Sequence, residues 1–202
     1  MVLARKALAL AEANKAPRDI ATSLNNLAYM HRTRGEYDKA GPLYQRALAL
    51  WEQAQGASHP DTATALNNLA QLYRLQGQAD KAEPLYKRAL AIREKALGAS
   101  HPDVATSVGN LAALYAEAGK PAEAAALYQR LLALREKRLG LNHADVATTA
   151  VSLAEQQALL GRYAQAEVLL KRAVLIRQQA LGRDHADVAL TLQRLGSVLT
   201  AA

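Results

Sequence analysis

Residues 58–77 read SHPDTATALNNLAQLYRLQG, and residues 100–119 read SHPDVATSVGNLAALYAEAG. The two stretches start 42 residues apart, and the same step carries Asp19 to Asp61, Asp103, Asp145 and Asp187 without a gap. Self-similarity at a fixed period of this length marks a repeat architecture, in which one supersecondary motif is stacked on copies of itself. Four complete repeats follow, 19–60, 61–102, 103–144 and 145–186, with half-repeats at 1–18 and 187–202. The chain from 1 to 202 reads as a single array.

Two glycine series punctuate each repeat: Gly35, Gly77, Gly119 and Gly161, then Gly56, Gly98, Gly140 and Gly182. Glycine is favoured just past a helix C-terminus, because it enters the left-handed region without a Cβ penalty. The order is therefore helix A, a tight turn, helix B and a longer connection. Ser58, Ser100, Asn142 and Asp184 each stand three residues before an Asp. Such side chains can satisfy the free N–H groups of a first turn, and the following Asp suits its positive dipole end. Pro60 and Pro102 sit where proline is tolerated in that turn. With six Pro and eleven Gly in 202 residues, these breakers are expected to mark boundaries, each Gly following a helix.

Leu24, Leu27 and Ala28 recur as Leu66, Leu69 and Ala70, and as Val108, Leu111 and Ala112. Their spacing of three and four puts them on one helical face. Helix B repeats Ala40, Leu43, Tyr44, Ala47 and Leu48 as Ala82, Leu85, Tyr86, Ala89 and Leu90. Alanine at these places lets helices approach to the short end of the usual range of about 8–10 Å. One hairpin cannot bury both faces alone, whereas stacked neighbours can.

The string Leu66, Leu69, Ala70, Tyr73, Gly77, Ala82, Tyr86, Ala89, Leu90 resembles the tetratricopeptide consensus. The 42-residue period, with LNNLA in helix A, AEPLYKRALAIREKALG in helix B and SHPD in the connection, is similar to the kinesin-light-chain-like subfamily, which is abundant in bacterial multidomain proteins. The resemblance covers nearly the whole chain. It implies an all-α, right-handed α-solenoid of antiparallel helix pairs, with helix A surfaces lining a concave groove that binds extended peptides. Departures are His31 in place of the helix A Tyr, Gln156 and Gln157 in place of Leu-Tyr, and Trp51 where later repeats have Arg93, Arg135 and Arg177.

Helix A also carries a second stripe in steps of four, three and four. It runs Thr22, Asn26, Tyr29, Thr33, then Thr64, Asn68, Gln71, Leu75; the later copies are Thr106, Asn110, Ala113, Glu117 and Thr148, Ser152, Glu155, Leu159. Amides there can hydrogen-bond a peptide main chain through both donor and acceptor. Arg32 and Arg74 lie beside the stripe and could hold a carboxylate. The competing reading has Asn25, Asn26, Asn67 and Asn68 satisfying the backbone or neighbouring helices. Thr and Asn at the groove positions disfavour the Lys/Arg carboxylate clamp of some tetratricopeptide domains. Arg and Asn come early and Glu117 and Glu155 late, so a groove ligand is expected to be acidic or neutral towards the N-terminal end.

His59, His101, His143 and His185 form a ladder at the repeat period. One zinc needs imidazole nitrogens about 2 Å from the metal, whereas equivalent positions lie roughly 10 Å or more apart from helix packing distances. Capping or loop packing is expected, and no metal or cofactor. Ser and Asp recur at caps without forming a triad, and no Gly-rich phosphate loop exists, so no catalytic residue is assigned and no enzyme is expected. The chain has no Cys and a net charge of +7. The excess falls on helix B, at Lys87, Arg88, Arg93, Lys95, Arg135, Lys137, Arg138, Lys171 and Arg172, interleaved with Glu52, Glu94 and Glu136. That pattern suits a solvated face, and nucleic-acid binding, which favours stacking aromatics in a basic groove, stays a minor alternative. No apolar run approaches the roughly 18 residues of a membrane span, and a cytoplasmic, soluble protein is the default expectation.

Leu192, Leu195, Val198 and Leu199 would form a bare core face in the last half-repeat, as in a segment of a longer array. The two half-repeats are complementary, so head-to-tail self-association is a further expectation. The leading reading is a protein–protein interaction module for a peptide or partner segment. The alternative is a structural or regulatory scaffold within a larger bacterial signalling or defence protein.

Overall fold

The computed structural model describes residues 2–201, and Met1 and Ala202 of the two half-repeats lie outside them. The described residues form ten helices and no strand: α1 (Val2–Ala13), α2 (Pro17–Thr33), α3 (Tyr37–Gln55), α4 (Pro60–Leu75), α5 (Ala79–Leu97), α6 (Pro102–Glu117), α7 (Pro121–Leu139), α8 (Ala144–Leu159), α9 (Tyr163–Leu181) and α10 (Ala186–Ala201). Even-numbered helices are helix A and odd-numbered ones helix B. Two compact units divide between Ser107 and Val108, inside α6. In the first, α2 packs on α3, α3 on α4 and α4 on α5, with α1 against α2; in the second, α7 packs on α8, α8 on α9 and α9 on α10.

Each tight turn closes with one hydrogen-bond pattern. The amide after the turn glycine returns five residues to helix A, as Glu36 to the His31 carbonyl (3.0 Å), Gln78 to Tyr73 (2.9 Å), Lys120 to Tyr115 (2.9 Å) and Arg162 to Gln157 (2.9 Å). Such a bond satisfies a carbonyl that the helix leaves free. The end of helix B is more demanding. Gly56 holds φ 93° and ψ 158°, a region open essentially to glycine alone.

The start of helix A corrects the expected cap. His59, extended at φ −79° and ψ 146°, is the residue before the helix, and its Nδ1 accepts the Asp61 amide. His101, His143 and His185 accept from Asp103, Asp145 and Asp187 in the same way at 3.1–3.2 Å. The cap sits one residue later than Ser58 and its equivalents, because the helix begins directly after the histidine. Prolines are not confined to boundaries either. Pro42 and Pro84 lie inside α3 and α5, past the first turn, where each removes one backbone hydrogen bond from its helix. Nor does every glycine follow a helix, since Gly41, Gly109 and Gly196 are helical.

Alanines line the contact between helices A and B. Ala28, Ala70, Ala112 and Ala154 on helix A, and Ala40, Ala82, Ala124 and Ala166 on helix B, are all 0% exposed. Where helix B carries Leu131 in place of Ala47 and Ala89, the second unit compensates with a glycine. A Cβ on Gly109 would lie 3.2 Å from Leu131 Cδ2, so glycine admits the larger side chain.

A second in-chain compensation explains Trp51. Arg93 is 5% exposed, and its Nη1 donates to the Asp103 carbonyl (3.1 Å) and Ser107 Oγ (2.8 Å), while Nη2 donates to Thr64 Oγ1 (3.2 Å). Desolvation lowers its pKa from the usual value. Arg135 donates likewise to the Asp145 carbonyl and Thr149, and Arg177 to the Asp187 carbonyl and Thr191. Fourteen residues beyond Trp51 stands Ala65 rather than a hydroxyl, and the two share one apolar cluster. Arginine goes with Ser or Thr, and tryptophan goes with alanine.

Several of the basic helix B side chains are paired. Arg88 meets Glu52 of the preceding repeat at 2.7 Å, and Arg172 meets Glu136 at 2.5 Å. Lys87 and Lys171 bridge to Glu83 and Glu167 within their helices. Partly exposed pairs of this kind contribute at most about 1 kcal/mol each.

Two features of this packing can be tested by stability. Trp51→Arg alone buries a guanidinium without its hydroxyl partner and costs about 3–5 kcal/mol; adding Ala65→Ser returns about 1–2 kcal/mol. Urea unfolding of both single variants and the double tests this, and strict additivity refutes the pairing. Tyr44 is fully buried, its hydroxyl has no hydrogen-bond partner, and burial pushes its pKa up from 10.0 to about 12. The folded state resists forming the phenolate, so stability falls as pH rises from about 10 towards 12, by about 3 kcal/mol in all. Tyr44→Phe removes that part of the alkaline slope and is neutral or stabilising at pH 7. An unchanged slope between the two proteins refutes the assignment.

Candidate peptide-binding face

In the first unit the stripe lies along α2 and α4. Thr22, Asn26, Tyr29 and Thr33 are exposed, and Thr64, Asn68 and Gln71 are half-buried. The threonines do not project free hydroxyls. Thr22 donates to the Arg18 carbonyl and Thr64 to the Pro60 carbonyl, four residues back in the same helix. Thr106 does the same with Pro102.

Amides and one arginine tie α2 to α4. Asn68 Nδ2 donates to Asn25 Oδ1 at 2.8 Å, and Arg32 donates to Gln71 Oε1. The Arg32 guanidinium also lies 4.9 Å from the centre of the Tyr29 ring, within cation–π range. Tyr29 is 51% exposed and Asn26 makes no hydrogen bond to any described residue. The paired asparagines thus divide their roles: Asn25 receives the neighbouring helix, Asn26 faces outward, and Asn68 bridges while keeping its Oδ1. Arg74 is half-buried beside them.

The tight turn next to this patch is held by His31. Its ring is buried, with Nδ1 2.5 Å from Glu36 Oε2. That hydrogen bond, with help from Lys39, keeps the Glu36 carboxyl below its usual pKa. A depressed carboxylate stabilises the fold at neutral pH, and its contribution is lost as pH falls through the folded value.

In the second unit Asn110 and Ala113 are half-buried and Glu117 is exposed on α6; on α8 Thr148 is exposed and Ser152 and Glu155 are half-buried. Thr148 and Ser152 donate to carbonyls four residues back. Glu155 is bound by Arg194 of α10 at 2.7 Å. Arg194 was absent from the residues picked by sequence, although it lies 42 residues beyond Ser152, in the same register. Continuing the stripe into the last half-repeat would have found it.

The sequence matches the tetratricopeptide repeat family over residues 19–95, 69–137 and 145–202. The chain belongs to the tetratricopeptide repeat family. BtubC (BKLC) from P. vanneervenii is similar in structure, with a TM-score of 0.82 and 27% identity over 99% of this chain and 82% of that one. A putative kinesin light chain with nearly identical TPR-like repeats from Podospora anserina has a TM-score of 0.81 and 25% identity, covering 92% and 87% of the two chains; a single-substitution variant of that protein gives the same values. No curated protein matches the chain. These tetratricopeptide repeats are therefore of the kinesin-light-chain-like kind, an all-α solenoid of helix pairs. Among the described residues no helix is long and apolar enough to cross a membrane. Such repeats act generally as protein–protein interaction scaffolds and are typically not enzymes.

Proposed function

We propose that the helix A stripe binds an extended peptide or partner segment. The observation that carries this is the α2–α4 patch: Asn26 unengaged, Tyr29 exposed, and Arg32 held in place by both Gln71 and Tyr29. A guanidinium fixed before binding loses little freedom when it meets a carboxylate or carbonyl. The amides offer a main chain both donors and acceptors. Arg32 and Arg74 favour an acidic or neutral segment on this unit. Thr106, Asn110, Ala113 and Glu117, with Thr148, Ser152 and Glu155, extend the same register, although Glu155 is engaged by Arg194.

A second reading, head-to-tail self-association within a scaffold, draws on exposed apolar side chains at the two end helices. Leu192 and Leu199 of α10 are 46% and 50% exposed, and Val2, Leu3 and Leu10 of α1 are 69%, 81% and 64% exposed. The expected bare face on α10 is smaller than the periodicity implied, because Val198 is buried in the core and Leu195 packs against it.

A displayed peptide library panned on the protein should enrich a motif whose affinity drops about tenfold or more in the Asn26→Ala, Asn68→Ala, Asn110→Ala variant, since loss of a main-chain hydrogen bond to each amide costs roughly 1 kcal/mol. Enrichment indifferent to those changes removes the stripe reading. For the second reading, light scattering across a hundredfold concentration range should show mass rising above 21.7 kDa; a constant monomer mass disposes of it.

A further inference from the structure

A cavity of about 490 Å³ opens between α8, α9 and α10 in the second unit. The repeat register shows how it arises. Ala158, Leu170 and Ser197 stand three repeats on from Arg32, Tyr44 and Gln71. In the first unit Arg32 and Gln71 are hydrogen-bonded to each other, and Tyr44 is fully buried. Three large side chains have become Ala, Leu and Ser, and the space they would occupy is open.

The chemistry of the lining is asymmetric. Gln156 stands where Leu72 and Leu114 are buried in earlier repeats. It is 5% exposed and lines the cavity, and its Oε1 has no hydrogen-bond partner. A buried acceptor left unpaired is destabilising and calls for a partner. The amide turns about a soft terminal torsion, so it can present that oxygen to an occupant. The other polar groups are engaged. Ser197 donates to the Gln193 carbonyl at 3.2 Å, and Glu155 and Arg194 neutralise each other. Leu159, Leu170 and Val198 supply apolar walls.

We infer that this cavity is a site for a small, neutral, apolar molecule carrying one O–H or N–H donor, received by Gln156. Its volume falls in the range of small-molecule sites, about 300–1,000 Å³. A charged ligand finds no unpaired counter-charge. A peptide main chain, which needs donors and acceptors in alternation, finds one unpaired acceptor here, in contrast to the several amides of the α2–α4 patch. The cavity shares Glu155 with the far end of the stripe, but changes at Asn26, Asn68 and Asn110 leave its lining intact, so the two readings can fail separately.

The test uses the full chain with 1-naphthol, which has one donor, and 1-methoxynaphthalene, which has none, followed by fluorescence titration. Naphthol should bind about tenfold tighter than the ether. Gln156→Leu should erase that preference while retaining apolar binding. Leu170→Tyr, and separately Ala158→Arg with Ser197→Gln, should abolish binding of both probes. Each change recreates side chains the protein already packs at the same register, and unchanged helicity and melting temperature verify the fold. Equal affinity for the two probes, a preference that survives Gln156→Leu, or binding that survives both filling variants overturns the inference. Displacement of naphthol by a library-selected peptide would assign the cavity to a partner side chain and overturn it too.

Discussion

The contact between helices A and B is made through alanine, and the rest of the structure follows from that closeness. With only a methyl group from each side at the fully buried Ala28 and Ala40, or Ala70 and Ala82, the helices of a hairpin can approach closely. Larger apolar side chains are then displaced to the flanks, where they meet the next hairpin as well as their own partner. Leu69 and Leu72 of α4 pack with Tyr44 of α3, and Leu66 packs with Ala89 and Ile92 of α5. Stacking is thus required by the sequence of volumes along each helix. The constraint also explains the compensations: Leu131 is admitted because Gly109 withdraws, and Trp51 because Ala65 faces it.

Fixing the hairpin in this way leaves one helix A surface free of packing duty. Its residues vary between repeats while the packing positions stay nearly constant. Tyr29, Gln71, Ala113 and Glu155 occupy equivalent places, yet one is an exposed ring, one an amide bound to Arg32 and one a carboxylate bound to Arg194. The repeat scaffold thus accepts different side chains at those positions singly, without loss of the alanine contact. The cavity of the second unit opens where Ala158 and Ser197 on helix A and Leu170 on helix B are smaller than their counterparts Arg32, Gln71 and Tyr44, while the alanine contact stays in place.

Periodicity made the helices and their order legible, along with the glycine turns and the family, and it left the histidines between capping and loop packing until the structure showed them as caps. The legible features depend on local spacing: a glycine where φ must be positive, a leucine every three or four residues. Local spacing misled where position within a helix mattered more than residue type. Ser58 looked like the cap but stands one residue too early, and Pro42 and Pro84 looked like boundaries but are absorbed in helix B.

Within the stripe, sequence alone determined which residues share a face, because 3.6 residues per turn fixes direction around the helix axis. It did not determine which of them are available. Whether an amide faces outward or bridges to a neighbour depends on the distance to the next helix A, and that distance arises only when hairpins stack. Asn26 and Asn68 read alike in the sequence, and only packing left the first open and joined the second to Asn25. Likewise Gln156 read as a departure from a leucine position, and only the tertiary structure showed its carbonyl buried without a partner at the edge of a cavity.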